Sequence, residues 1–188
     1  MSHIRPALFL LVFFTFVAGL IYPLTVTVVA QALVPTAANG SLIREGDKVI
    51  GSELIGQSFN APRYFHGRPS AAGANGYDAG SSSGSNLGPS RKALLDAIKA
   101  RAEALGPGPH PADLLTASAS GLDLHISPAA AEAQIARVAA ARGLDPKSVA
   151  DLVASGTEGP DLGVLGERRV NVLRLNMALD RLTPAPQS

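Results

Sequence analysis

The sequence predicts an α+β protein: a single N-terminal transmembrane helix followed by one compact soluble domain with several helices and a few short strands. Three observations carry this. No Asp, Glu, Lys or Arg occurs between residues 6 and 43, so all 16 Lys+Arg and all 15 Asp+Glu lie on the other 150 residues. Beyond residue 90, apolar residues recur at helical spacing between Gly- and Pro-rich stops. Residues 122–126, Leu-Asp-Leu-His-Ile, alternate with the period of a strand.

The organisation that follows is a short N-terminal segment (1–6), a transmembrane helix (7–34), a soluble domain (35–183) and a tail (184–188). Residues 7–34 exceed the roughly 20 apolar residues a helix needs to cross the hydrocarbon core, and Pro23 is placed to kink that helix. A cleaved signal peptide is the rival reading, with Ala30-Gln31-Ala32 as a cleavage site, but its apolar region is usually 7–15 residues. Arg5 lies close to the segment on one side, whereas Arg44 and Lys48 are farther away and accompanied by Glu45 and Asp47. The positive-inside rule then puts the N-terminus in the cytoplasm and the domain outside. Thr15 and Gly19 have a small-xxx-small spacing suited to close helix approach. With Thr25, Thr27 and Gln31 they point to packing against a larger membrane partner as well as lipid.

In the soluble part, Val49-Ile50 and Ser58-Phe59 are short β-like pieces, and residues 68–90 form a long Gly/Ser/Asn-rich loop. A helix starts near Ser90, with Leu94, Leu95, Ile98 and Leu105 on one face, and stops at Gly106-Pro107-Gly108-Pro109. After the strand at 122–126, Ser127-Pro128 reads as an N-cap with Pro at the first helical position. That helix runs to Arg142, with Gly143 as its C-cap. Asp145-Pro146 starts a shorter helix ending near Gly156, and the last helix spans about 167–182 with the stripe Val172, Leu175, Leu179, Leu182. Asn171 and Asn176 are placed within that helix, where Asn is a fair helix former at best. Bonding to a neighbouring loop would account for them.

Composition excludes several chemistries. There is no Cys, hence no disulfide, thiolate metal site or Cys nucleophile. No two His residues fall at i, i+3 or i+4, so no helix face offers a histidine metal pair. A net charge of +1 argues against nucleic-acid binding, and the two helices flanking Gly143-Leu144 read as an ordinary hairpin. No Gly-Lys dipeptide occurs, so there is no P-loop. No Asp-Lys-Thr-Gly occurs either, so no phosphorylated aspartate of the P-type pumps is carried here. Gly80-Ser81-Ser82-Ser83-Gly84 matches the nucleophile elbow of serine hydrolases, with Ser82 as nucleophile and His125 as a candidate base.

Four stretches in order carry a resemblance. They are Tyr64-Phe65-His66-Gly67-Arg68-Pro69-Ser70-Ala71; Ser82-Ser83-Gly84-Ser85-Asn86-Leu87-Gly88-Pro89; Thr116-Ala117-Ser118-Ala119-Ser120-Gly121-Leu122-Asp123 with His125-Ile126-Ser127-Pro128; and Leu165-Gly166-Glu167 with Arg169-Val170-Asn171-Val172-Leu173. Behind one N-terminal membrane helix they closely resemble the KdpC family, the C chain of the bacterial Kdp potassium-transporting ATPase. Leu124, Ala136 and Arg168 stand where that family often has Pro, and Ala133 where Tyr is common.

The resemblance implies an accessory, non-catalytic subunit of an ATP-driven potassium importer in the bacterial inner membrane. Its partners would be a channel-like potassium-binding subunit, a P-type ATPase subunit and a small single-helix subunit. It implies a role in assembly and as a catalytic chaperone that raises the ATP affinity of the pump chain. ATP enters through the resemblance only. With the domain outside and no phosphate loop, packing on the outer mouth of the channel-like chain is the physical alternative to direct nucleotide contact. The candidate partner-binding residues are Thr15 and Gly19 in the helix and Arg68, Ser85, Asn86, Asp123, His125, Ser127, Gln134 and Asn171 in the domain; no residue is assigned a catalytic or metal role. A membrane-anchored periplasmic serine hydrolase and some other anchored binding domain are the alternatives.

Overall fold

A computed structural model describes residues 3–182. The described residues fall into two units, one ending at Ser52 and the other beginning at Glu53. The expected tail, 184–188, and the first two residues lie outside the described residues.

In the first unit a 30-residue helix, Ile4–Leu33, is long and apolar enough to cross a membrane. It consists of α1 (Ile4–Phe16), a π turn (Val17–Ile21) and α2 (Tyr22–Leu33). The sequence places the irregularity at Pro23; the structure places it one turn earlier. Pro23 has no N–H to give the Gly19 carbonyl, and its ring would press on that carbonyl in a regular helix. Widening the preceding turn, with the Tyr22 N–H donating to the Val17 carbonyl, relieves the conflict. Thr25 and Thr27 return their hydroxyls to the carbonyls of Ile21 and Pro23, both at 2.8 Å, so their polarity is absorbed by the helix itself. Gln31 pairs with Asn39, beyond the short helix α3 (Pro35–Ala38), through two amide bonds of 3.0 and 3.2 Å. A hairpin of β1 (Leu42–Glu45) and β2 (Lys48–Ser52) closes the unit, turning at Gly46 with φ +59°. Val49-Ile50 lies in β2, whereas Ser58-Phe59 is not a strand.

The second unit combines six described α-helices with a three-stranded antiparallel sheet. The helices are α4 (Lys92–Leu105), α5 (Ala112–Leu115), α6 (Pro128–Glu132), α7 (Ile135–Arg142), α8 (Pro146–Ser155) and α9 (Val172–Leu182). The strands β3 (His125–Ile126), β4 (Thr157–Glu158) and β5 (Arg169–Asn171) are ordered β3-β5-β4, and α6 and α9 pack against the central strand. Val138, Val149, Val170 and Leu179 are fully buried, joined by Phe65 from the segment before the long loop. Among the described residues Phe65 is the one fully buried aromatic side chain in that cluster, with Phe59 packed half-buried against it. The remainder is aliphatic, as a sequence without aromatics beyond Tyr77 requires.

The local signals act where expected. The Ser127 hydroxyl accepts from Ala130 N–H, Gly143 adopts φ +66°, and Asp145 accepts from Lys147 N–H. Four readings change. The strand expected over 122–126 is confined to His125–Ile126. The helix after Ser127 breaks at Ala133-Gln134, because Gln134 turns inward. The last helix begins at Val172 rather than 167, because Arg169–Asn171 is the central strand and pairs with both β3 and β4. Leu182 then falls beyond the buried stripe, 54% exposed. On α4, Leu95 and Leu105 are exposed, so the predicted apolar face is only partly covered.

A candidate partner-binding face

The 68–90 loop is held by its own small polar residues. The Ser70 hydroxyl accepts from the Ala72 and Tyr77 N–H groups and donates to the Gly121 carbonyl. Ser83 N–H and the Ser82 hydroxyl both donate to Ser120 O, and Ser118 N–H donates to Pro69 O. Two glycines allow this close approach. A Cβ on Gly121 (φ +68°) would stand 2.6 Å from the Ala72 Cβ, and one on Gly84 would stand 2.6 Å from the Ala119 carbonyl oxygen. The Tyr77 hydroxyl donates to Arg68 O at 2.6 Å. Burial pushes that phenol up to about 12, with the Asp123 charge adding to it.

This loop carries Arg68 to Asp123. Their charges meet at 3.0 Å, each side chain about a quarter exposed, and the other Asp123 oxygen accepts from His125 N–H. Arg68, Asp123, His125 and Ser127 line one open cleft of about 580 Å³ together with Asp113 and Arg169. Asp113 accepts from both the Ser127 N–H and hydroxyl. Beside it, Glu158 meets Arg169 at 3.3 Å, Arg174 at 3.6 Å and the His125 ring at 3.9 Å. Burial lowers the His125 pKa from its ordinary value; Arg169 and Arg174 act the same way, against Glu158 and Asp123. The face is therefore a mosaic of paired charges.

The other candidates separate by burial. Ser85 and Asn86 are exposed on the loop, and Asn86 takes a left-handed φ of +52°, which Asn tolerates. Gln134 and Asn171 are 4% and 5% exposed. The Gln134 amide accepts from His66 N–H and donates to His66 O, and Asn171 caps α9 by accepting from Arg174 N–H. Both side chains work inside the domain, not on its surface. Thr15 and Gly19 are exposed on the apolar helix. Ser82 follows a 3₁₀ turn (Ala79–Ser81), precedes loop, and gives its hydroxyl to a backbone carbonyl. That is a loop anchor, lacking the strand and helix a nucleophile elbow requires.

Sequence reasoning anticipated that Asn176 bonds to another segment, and missed Arg142. Asn176 is 1% exposed and bonds both backbone groups of Phe65, at 2.8 and 2.9 Å. Arg142, its side chain 1% exposed, reaches Asp180 at 2.7 Å and lies over the Tyr64 ring at 5.0 Å. The ill-fitting Asn in a helix pointed to the first in advance; nothing local marked the second.

The model of the KdpC family, described as the c chain of K+-transporting ATPase, matches residues 4–181. This chain belongs to the KdpC family. A KdpC relative from Methylococcus capsulatus, named as a potassium-transporting ATPase KdpC subunit, is 57% identical over 96% of this chain and 98% of its own length. The Sorangium cellulosum KdpC subunit is 54% identical over 96% of this chain and 98% of its own. The one from Nitratidesulfovibrio vulgaris is 59% identical over 86% of this chain and 85% of its own. Membership runs from the first turn of the apolar helix to the last turn of α9, and so takes in every site residue considered above. A KdpC chain with one candidate membrane helix fits a membrane protein.

Proposed function

We propose that this chain is the accessory subunit of a potassium-transporting Kdp complex, anchored in the bacterial inner membrane by its apolar helix Ile4–Leu33. The family match over residues 4–181 carries this reading. ATP hydrolysis then belongs to a P-type ATPase subunit. Potassium selection belongs to a channel-like subunit, and a small single-helix subunit completes the assembly. The N-terminus lies in the cytoplasm and the domain outside, following the charge asymmetry around the helix. On this reading the domain packs on the channel-like chain at its outer mouth. It supports assembly, and any rise in the ATP affinity of the pump chain is transmitted through the complex. Anchoring makes weak contacts sufficient, because it raises the effective concentration of the domain at its partner. The exposed loop residues Ser85 and Asn86 and the cleft of Arg68, Asp123, His125 and Ser127 are the contact candidates.

The test is purification of the tagged full chain in mild detergent. A P-type ATPase and a channel-like chain should accompany it in fixed ratio; recovery of the chain alone overturns the reading. Asn86→Gly keeps the left-handed backbone while deleting the amide, and should lower the recovered partners several-fold without changing the urea midpoint. Orientation is checked by Lys99→Cys in this cysteine-free chain, which a membrane-impermeant maleimide should label from outside. Protection until the membrane is opened would reverse the topology.

A further inference from the structure

A second cleft, of about 520 Å³, lies between the 58–77 segment, α4 and α7. Its charge is one-sided in a chain whose net charge is only +1. Arg68, Arg101 and Arg137 line it and no Asp or Glu does. Arg68 is compensated by Asp123, outside this cleft. Among the described residues neither Arg101 nor Arg137 pairs with a carboxylate. Arg101 donates only to Leu115 O, at 2.7 Å, which leaves most of its N–H groups unengaged. Arg137 donates to the Tyr64 carbonyl at 3.0 Å and to Gln134 at 2.6 Å, and also to the carbonyl of Pro62. Desolvation uncompensated by a counter-charge lowers the Arg137 pKa. In addition, Arg68 Nε is buried with no acceptor, and such orphaned donors are rare in folded proteins.

Guanidinium forks match the oxygens of phosphate and carboxylate. The volume is that of a site for a small organic molecule, well above a bare anion. Phe59, Tyr77, Leu105 and Leu114 supply an apolar wall. We infer that this cleft binds a phosphate-type oxyanion, free or carried on a small apolar body, with Arg101 and Arg137 as its principal counter-charges. The phosphate is supplied either by a lipid headgroup or by a free phosphate. This inference is independent of membership in a transport complex.

The experiment uses the full chain in neutral-detergent micelles. Binding of inorganic phosphate and of dihexanoyl phosphatidic acid is measured by calorimetry, with dihexanoyl phosphatidylcholine as the zwitterionic comparison. At least one of the two anionic probes should bind, and binding should fall tenfold or more in Arg101→Gln and Arg137→Gln. Arg137 also holds two backbone carbonyls, so Arg137→Gln risks misfolding; Arg101→Gln, which loses one backbone bond, keeps the test decisive. Equal affinity for the two anions identifies free phosphate as the source. Much tighter binding of phosphatidic acid identifies a lipid headgroup. If neither anion binds the wild-type chain better than Arg101→Gln, or phosphatidylcholine binds equally well, the inference is overturned.

Discussion

Two buried amides, Asn176 and Gln134, hold consecutive residues of the chain, Phe65 and His66, by both backbone groups. Each acts as a neighbouring strand would, giving an irregular segment the pairing it lacks. Asn176→Leu keeps the volume but strands a buried N–H and a buried C=O. Leaving such groups unpaired costs about 1–3 kcal/mol apiece, so the urea midpoint of the full chain should drop by an amount corresponding to roughly 2–6 kcal/mol. An unchanged midpoint would show that Phe65 does not depend on this clamp. The imidazoles supply a pH dependence. Burial lowers the His66 and His125 pKa below the ordinary 6.5. Above 6.5 both folded and unfolded chains hold them neutral. Below it the unfolded chain takes up protons first, so stability falls with pH until the folded values are reached. Urea midpoints should decline from pH 7 into the acid range, and His66→Gln should flatten part of that decline.

At the scale of elements, the long loop is a built structure stapled to residues 118–121. Its Gly/Ser composition, which looks like a flexible linker, is what lets two backbones approach closely and lets hydroxyls replace strand pairing. Gly121→Ala forces a Cβ against Ala72 and within 2.7 Å of the Ser83 carbonyl at a positive φ. The expected cost is about 2 kcal/mol or more, from backbone strain plus overpacking. Hydrogen exchange should locate it: protection at the Ser83 and Ser118 amides falls, while that at Val138 in α7 is retained. Uniform loss across the domain would instead mean that the loop is integral to the core. The helix caps belong to this scale too. Ser127 and Asp145 act on the few residues after them and Gly143 on the few before it, which is why they were readable in advance.

For the whole molecule, the buried cluster runs from Phe65 to Leu179 and lies entirely beyond Ser52. Residues 53–188 expressed alone should therefore unfold in one cooperative transition, followed by circular dichroism in urea. They should also capture the transport partners 10²-fold or more weakly than the anchored chain, since the effective concentration is lost. Undiminished capture would show that the domain's own contacts suffice. Absence of a cooperative transition would show that the first unit contributes to folding.

The apolar N-terminal helix, the start of α6, the stop of α7, both ends of α8, the α+β class and the family were legible in the sequence by itself. Each rests on signals local to a few residues, or on ordered stretches of side chains that need no coordinates to compare. Tertiary structure alone decided that Arg169–Asn171 is a central strand, that Gln134 and Asn171 face inward while Asn86 faces out, and that Arg68 meets Asp123. Those outcomes depend on partners 55 residues apart for Arg68 and Asp123 and 111 apart for Phe65 and Asn176. Periodicity describes a residue's neighbours along the chain. Whether a polar side chain ends on the surface or clamped to a buried backbone is decided by which segment packing brings opposite it.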